Sequence, residues 1–239
     1  MRDVLIIPFT DEMSIIIASD NSGAIGMKPA DSVKVPYDTL GYYSLRVAAM
    51  ECIAAGGEPF AVTLHNFCGE TAWNEITAGI RKGLSELGIE EVELTGSTET
   101  NFPMEQSALS INVLGKKKKG SADEKLHYDN KSKIAVIGAP LVGNDVIKRS
   151  SEGAPLAVFK EVASHLDIIT LPVGSKGILA ELNVLFSNRH FKKSEIETDV
   201  DLLQSAGPST CFIAVYNASI EEDMKNMTGP YFHSVKVQG

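Results

Sequence analysis

Apolar and polar residues follow two periods along this sequence, and the two periods predict strands and helices in one chain. Short runs rich in Ile and Val, and runs that alternate apolar with polar residues, are typical of strands. The segment 107–115, for example, alternates as a half-buried strand does. The predicted strands are 4–9, 13–19, 32–35, 60–67, 92–102 (running into a polar loop), 107–115, 133–143 (ending in a glycine turn), 167–178 (running into a Pro/Gly/Ser loop), 209–216 and 231–237.

Apolar residues spaced three or four positions apart predict the helices. The clearest is the stretch from Trp73 to Leu87, whose apolar positions share one face and which Gly88 ends. The predicted helices are 39–55, 73–87, 154–165, 178–186 and 219–227. Between these elements, Asp20–Gly23 is predicted to close the second strand as a turn, and Asn144–Asp145 to cap a short helix.

A change in composition near the middle of the chain predicts two domains. The run Lys116–Lys119 and the polar residues up to Lys133 separate two apolar, strand-rich halves. We therefore expect an N-terminal domain at 1–120, a linker at 121–132 and a C-terminal domain at 133–239. The four lysines are expected to form a solvated turn, because clustered like charges favour solvent.

Composition and charge exclude several classes of function. The 239 residues carry a formal net charge of −9, which argues against nucleic-acid binding. Three unevenly spaced cysteines indicate neither a disulfide framework nor a zinc site. The first residues lack the apolar core of a signal peptide, and no stretch reaches the ~20 apolar residues of a membrane span. These features predict a cytoplasmic protein without a membrane partner.

The stretch 16–59 places charged side chains at its turning points. They are Asp20, Asp31, Lys34 and Glu51. Carboxylates near a lysine suit magnesium and a polyphosphate, because Mg²⁺ uses one or two carboxylates plus phosphate oxygens. The alternative is structural: the acids cap a helix and close turns, Asp20 forms an Asx turn, and Glu51 is a solvated helix charge.

Two further polar segments are candidates for ligand binding. The loop Gly96–Asn101 offers several oxygen ligands and donors, although a hydrophilic hairpin loop needs no function. The segment Gly174–Ile178 does not match the Walker pattern, but Ser175 and Lys176 at a helix start could meet an anion through backbone NH groups. A capped helix N-terminus explains the same residues.

Three motifs resemble the AIR synthase-like superfamily, which includes thiamine-monophosphate kinase, selenophosphate synthetase and a hydrogenase maturation protein. ASDNSGAIG (18–26) resembles its first acidic loop, and LRVAAMECIAAGGEP (45–59) resembles its helix motif N-x-x-D-x-x-A-M-G-A-x-P. TGSTETNF (95–102) with SINVLG (110–115) resembles its G-G-D-T loop and following strand. Segments 141–147, 171–178 and 201–215 match the order of its second-domain motifs, in degraded form.

The chain departs from the family pattern at several acids. The helix-motif Asp is Glu51 here, and the motif's Asn is Ala48. The G-G-D-T acid falls near Ser97, and the second-domain acids fall near Ser175 and Lys176. These departures put the second-domain site in doubt more than the first.

The resemblance implies an α+β, two-domain PurM-like fold. Its N-terminal domain would form a shared β-barrel in a homodimer, and its C-terminal domain would be an α/β sandwich covering the site. It implies ATP and Mg²⁺ as cofactors. Carried over by position, the resemblance assigns metal binding to Asp20, Asp31 and Glu51, phosphate contact to Lys34, nucleotide contact to Thr98, Glu99 and Asn101, and acceptor contact to Asn144, Ser175 and Lys176. It makes Asp20, Lys34 and Lys176 the catalytic candidates.

Within the superfamily, the motifs are most similar to the α-ribazole kinase branch. This similarity implies an ATP-dependent kinase that phosphorylates α-ribazole, in salvage of the cobamide lower ligand. Three alternatives stay open: an AIR synthase-like, ATP-dependent cyclase or synthetase, a noncatalytic nucleotide-binding regulatory protein, and a structural dimer without a ligand.

Overall fold

The computed structural model describes residues 4–119, 126–129 and 131–238. These residues form two compact units, with the boundary between residues 121 and 122. Half of the predicted linker, 121–132, lies outside the described residues. Two of its described members, Leu126 and Tyr128, pack against the core of the second unit. No described helix has the length and hydropathy of a bilayer-crossing segment.

The first unit is a five-stranded sheet with two helices. Its sheet has the strand order β1-β2-β7-β5-β6, and only the β5–β6 pair is parallel. A short parallel pair, β3–β4, lies beside it. The elements are β1 (Val4–Pro8), β2 (Met13–Gly23), β3 (Ile25–Gly26), β4 (Val33–Lys34), α1 (Tyr37–Ala54), β5 (Glu58–Asn66), α2 (Trp73–Glu86), β6 (Glu93–Thr98) and β7 (Ala108–Lys118).

Alternation along β2 decides which side chains face the helices. Ile16 and Ala18 are fully buried, and Ser22 Oγ lies 3.0 Å from Ser44 Oγ of α1, so the even-numbered residues of β2 face α1. The opposite face is much more exposed. Leu5 and Ile7 of β1 lie on it and are 59% and 40% exposed.

The two helices of the first unit approach each other closely at two glycines. A Cβ added at Gly41 would overlap the Ile76 carbonyl, and one added at Gly79 would overlap the Asp38 carbonyl. Only glycine permits this distance between the backbones. The close packing fixes α1, and α1 in turn covers the buried face of β2.

The second unit is a five-stranded, fully antiparallel sheet with the order β10-β12-β8-β11-β9. Helix α5 packs on one face, against Val136 and Ile213. On the other face, Phe159 of α4 packs edge-on against Phe212. The elements are β8 (Ser132–Ile137), α3 (Asn144–Lys148), α4 (Leu156–Ala163), β9 (Ile169–Pro172), α5 (Ile178–Leu185), β10 (Ile196–Glu197), β11 (Phe212–Asn217), α6 (Glu221–Thr228) and β12 (Phe232–Val237).

The mixed α and β architecture agrees with the prediction, but two local predictions are wrong. Asp20–Gly23 is not a turn: it continues β2 and pairs with Ala108–Ile111 of β7. Lys116–Lys118 is not a linker turn, because it pairs with Met13–Ile15. In both places a long partner strand satisfies the backbone, and this partner outweighs the local preference of the residues.

Candidate functional site

Three connections meet at one end of the first sheet. Strands β2, β5 and β6 end there and β7 begins there, as their registers require. The connections are 24–36, 67–72 and 99–107. They bring five of the predicted residues to the same end of the sheet, namely Asp31, Lys34, Thr98, Glu99 and Asn101.

Asp31 is a buried carboxylate that holds two of these connections together. It accepts hydrogen bonds from the Lys28 NH (2.8 Å), the Ser107 NH (2.7 Å) and the Ser107 hydroxyl (2.7 Å). Burial opposes its ionisation, but these donors and the charge of Lys34 outweigh burial and lower its pKa. The structural alternative considered for this residue is therefore realised, because Asp31 closes its loop.

Lys34 and Lys28 form a cationic corner beside Asp31. The Lys34 ammonium donates to the Lys28 carbonyl and, at 2.9 Å, to the Pro29 carbonyl. The Lys28 ammonium donates to the Phe67 carbonyl at 2.9 Å and so joins the next connection. Lys34 is exposed. Two ammonium groups near one surface provide the local positive charge that an anion needs in a chain of net charge −9.

Asp20 lies three residues before the end of β2, on the face that α1 covers. It pairs with Ile111, between Ala18 and Ser22 on the same face. Burial raises the pKa of Asp20 to about 6, against the smaller opposing effect of the Asn21 NH. A carboxylate in such a place is costly to ionise without a cation nearby.

The three predicted metal ligands are not gathered around one point. Asp31 is hydrogen-bonded to Ser107, just before β7, whereas Asp20 pairs with Ile111 in β7. Ser107 and Ile111 are four residues apart, or roughly 13 Å at the rise of a strand. Among the described residues, no group of three or more His, Cys, Asp or Glu side chains is placed to hold a metal.

Glu51 instead lies along the same contact between α1 and β2 as Asp20. It lies seven residues beyond Ser44 on the same face of α1, or roughly 10 Å along the helix. Helix α1 runs antiparallel to β2, since Ser44 meets Ser22 and Gly57 lies beside Ile16. Asp20 and Glu51 therefore lie along one helix–strand contact, whereas Asp31 lies apart from it.

The predicted nucleotide residues cap their own loop. Thr98 is the last residue of β6 rather than a loop residue, and its hydroxyl accepts from the Asn66 amide at 3.1 Å. The Glu99 carboxylate accepts from the NH groups of Asn101 (2.6 Å) and Phe102 (3.3 Å). The loop is thus held by its own side chains, with Asn101 exposed.

The predicted acceptor residues of the second unit lie at one end of its sheet. Ser175 and Lys176 are exposed in the turn between β9 and α5, and Asn144 is exposed at the start of α3. Gly143, with φ of 60°, is the cap of α3, so the predicted capping by Asn144 is wrong. The registers of β8, β9 and β11 put both connections at the same end of the sheet.

Three residues of the first-unit site were missed by sequence reasoning: Lys28, Asn66 and Ser107. Lys28 shares a Pro-flanked loop with Asp31, and this proximity was a usable local signal. Asn66 is buried, and its amide bridges the Gly69 carbonyl (2.9 Å) and Thr98. Ser107 had no local signal, since its partner Asp31 is 76 residues away.

Comparison with known proteins identifies the fold. No protein-family model and no curated protein matches the sequence. Among solved structures, Thermotoga maritima PurL complexed with ADP matches with a TM-score of 0.62 and 13% identity, over 100% of this chain and 42% of that chain. The chain thus spans about two fifths of PurL. Protein tt0281 from Thermus thermophilus matches with a TM-score of 0.64 and 13% identity, over 99% of this chain and 86% of that chain.

Hydrogenase maturation protein HypE in complex with ATP matches with a TM-score of 0.58 and 12% identity, over 93% of this chain and 77% of that chain. At these identities the similarity establishes the fold alone. The chain has the fold of these proteins, and the predicted mixed α and β architecture in two units is consistent with it.

Proposed function

We propose that this protein is an ATP- and magnesium-dependent kinase that transfers the γ-phosphoryl group to the hydroxyl of a nucleoside-like acceptor. The proposed acceptor is α-ribazole, and the proposed product is α-ribazole 5′-phosphate. The observation that carries the proposal is the meeting of the Lys28–Lys34 corner with Asp31 and the Thr98–Asn101 loop at one end of the first sheet. The similarity of fold to HypE, solved in complex with ATP, and to PurL, solved with ADP, supports it.

The nucleotide is proposed to bind at that end of the first unit. Lys34 and Lys28 would neutralise phosphate oxygens, because an ammonium group binds phosphate as a point charge. Thr98, Glu99 and Asn101 would contact the rest of the nucleotide. Asp31 would act chiefly through its three hydrogen bonds, which fix the loop that carries both lysines.

The donor set fits a magnesium ion that arrives with its nucleotide. Mg²⁺ usually takes one or two carboxylates and completes its shell with phosphate oxygens and water. Asp20 and Glu51, along the same contact between α1 and β2, would offer such a pair, and because burial raises the pKa of Asp20, a bound cation would favour its ionised form. When bound, the ion neutralises charge on the phosphate oxygens.

The chain's own residues would work by position and charge. In an in-line transfer, the acceptor 5′-oxygen forms a bond to the γ-phosphorus while the bond from that phosphorus to the β,γ-bridging oxygen breaks; ADP leaves, and the hydroxyl proton passes to solvent water. Lys34 would hold the phosphates in line, and Lys176 would place positive charge near the acceptor. Asn144 and Ser175, at the same end of the second unit, would hydrogen-bond the acceptor.

A homodimer is part of the proposal. The exposed face of the first sheet carries Leu5 and Ile7 beside Ile15 and Ile17, which are their ladder partners. An exposed apolar patch of this kind marks an interaction surface. We expect Ile7→Lys to yield monomers, whereas Leu166→Lys, at a residue 99% exposed in the second unit, leaves the dimer intact. Sedimentation velocity measures both outcomes, and a monomeric wild type removes the dimer from the proposal.

The direct test is a mass-spectrometric assay with ATP, Mg²⁺ and α-ribazole, with thiamine monophosphate as the control acceptor. A product heavier by one phosphoryl group on α-ribazole alone supports both the reaction and the acceptor. ADP with free phosphate, but no phosphorylated nucleoside, points to a synthetase awaiting another substrate. ATP binding without consumption points to a regulatory protein, and both of these outcomes reject the kinase.

A pair of variants ties the activity to the site. Asp20→Asn is expected to abolish phosphoryl transfer, because a neutral amide binds Mg²⁺ far more weakly than a carboxylate. Asp11→Asn, in the exposed turn between β1 and β2, is the matched control and keeps full activity. Thermal melts should show that Mg²⁺ with ATP raises the wild-type midpoint while Mg²⁺ alone does not. Equal activity in the two variants excludes Asp20 from the metal site.

A further inference from the structure

One connection in the second unit is unusually long for a segment without helix or strand. It comprises residues 198–211, between β10 and β11. Irregular connections longer than about 12–15 residues are uncommon in compact domains and are often functional. Its middle is not loose, since Leu202 is 3% exposed and belongs to the core under α5.

The second half of this connection forms one wall of the Ser175–Lys176 turn. The Leu202 carbonyl accepts from the Leu179 NH at 3.0 Å, and the Gly174 carbonyl accepts from the Ala206 NH at 3.2 Å. A Cβ added at Gly177 would lie only 2.9–3.0 Å from the backbone at 202–204. The turn therefore takes its shape from the connection as much as from its own residues.

The first half of the connection is joined to β12 by a hydrogen bond between Asp199 and His233. The β10–β12 ladder ends at the pair Glu197–Lys236. Beyond it, His233 Nδ1 lies 3.0 Å from both carboxylate oxygens of Asp199, with the imidazole 21% exposed. Another acid near His233 is Glu152, whose carboxylate is paired with Arg149 at 2.6 Å.

We propose that His233 and Asp199 are positioning residues for the Ser175–Lys176 turn. The pair holds the connection three residues before Leu202, and Leu202 holds the first turn of α5. These contacts restrain the exposed side chains of Ser175 and Lys176, which the proposed function assigns to acceptor binding. The inference on catalysis rests on that proposed function, whereas the inference on the shape of the turn does not. Asp199 is 71% exposed, so the pair contributes little to overall stability, and its effect is local.

Hydrogen exchange with mass spectrometry on the full chain tests the role in the turn. In Asp199→Ala, amides of peptides covering 174–181 and 202–206 should exchange roughly two- to fivefold faster, a range set by the modest strength of a half-exposed pair. Asp199→Asn should restore the wild-type rate, because its amide oxygen still accepts from Nδ1. Glu197→Ala is the matched control, since it removes an exposed acid that is 3.8 Å from Lys236 on the same two strands.

Unchanged exchange in Asp199→Ala overturns the proposal, and so does faster exchange spread evenly over β8 and β11, which would indicate a general structural role. Kinetics give a separate readout. With α-ribazole as acceptor, Asp199→Ala should raise the acceptor KM two- to fivefold and leave the KM for ATP unchanged, whereas equal rises in both exclude positioning. Absence of turnover in the wild type rejects the proposed function alone, because the exchange result stands without it.

Discussion

Asp20→Asn should stabilise the first unit, and the gain should depend on pH. Burial raises the pKa of Asp20 from 3.8 to about 6. One pKa unit corresponds to about 1.36 kcal/mol, so the ionised carboxylate costs the folded state up to about 3 kcal/mol. The asparagine side chain has nearly the same shape and carries no charge, and it avoids this cost.

The direction of this pH dependence follows from the number of protons that Asp20 binds in the folded and unfolded states. Between about pH 4 and pH 6 the folded state binds a proton at Asp20 that the unfolded state has released. Stability from this residue therefore falls as pH rises through that window and stays low above it. The substituted asparagine would not titrate, so the advantage of Asp20→Asn should be near zero at pH 4 and approach 3 kcal/mol, as an upper value, at about pH 7.5.

Urea unfolding in the presence of EDTA measures the effect without metal. Trp73 is the chain's one tryptophan and lies in α2, so its fluorescence reports on the first unit. The free energy of unfolding is compared between wild type and Asp20→Asn at the same pH, so that the contributions of all other titrating groups cancel in the difference. Asp11→Asn, at an exposed turn, is the control for removing a negative charge.

A free-energy difference that is the same at pH 4.5 and pH 7.5 refutes the reasoning, because it means that charge burial does not control this site. A difference that grows with pH, together with lost phosphoryl transfer, shows a residue kept at a cost in stability. Such a cost is usual where function needs a charge.

Two further predictions concern the scaffold of the site. Asp31→Asn should lower the unfolding free energy by about 2–3 kcal/mol at pH 7, since it leaves donors from Ser107 poorly paired. Because folding lowers the pKa of Asp31, this penalty should shrink as urea titrations move to acid pH, and a pH-independent penalty contradicts it. Gly79→Ala should lower the free energy of unfolding by about 1–3 kcal/mol, because the new Cβ forces α1 and α2 apart. Gly23→Ala is the control, since no atom lies within 4 Å of its new Cβ. Equal melting temperatures for the two variants contradict the close helix crossing.

The periodic patterns of the sequence determined most of the elements. The helix predicted at 73–87 is observed as α2 (Trp73–Glu86), and the strand predicted at 231–237 is observed as β12 (Phe232–Val237). Local patterns suffice here because burial of one face is enough to select helix or strand. The motif resemblance also implied the mixed α and β fold that this chain shares with the solved structures.

Only the tertiary structure decided how the candidate residues act. Asp20 became a strand residue facing α1 because β7 is long enough to pair with it, and its raised pKa follows from that burial. Asp31 became a loop anchor because Ser107, distant in sequence, meets it across the sheet end. The pairing of His233 with Asp199 likewise depends on the β10–β12 register. Register and packing join distant segments, and no local pattern encodes such pairs.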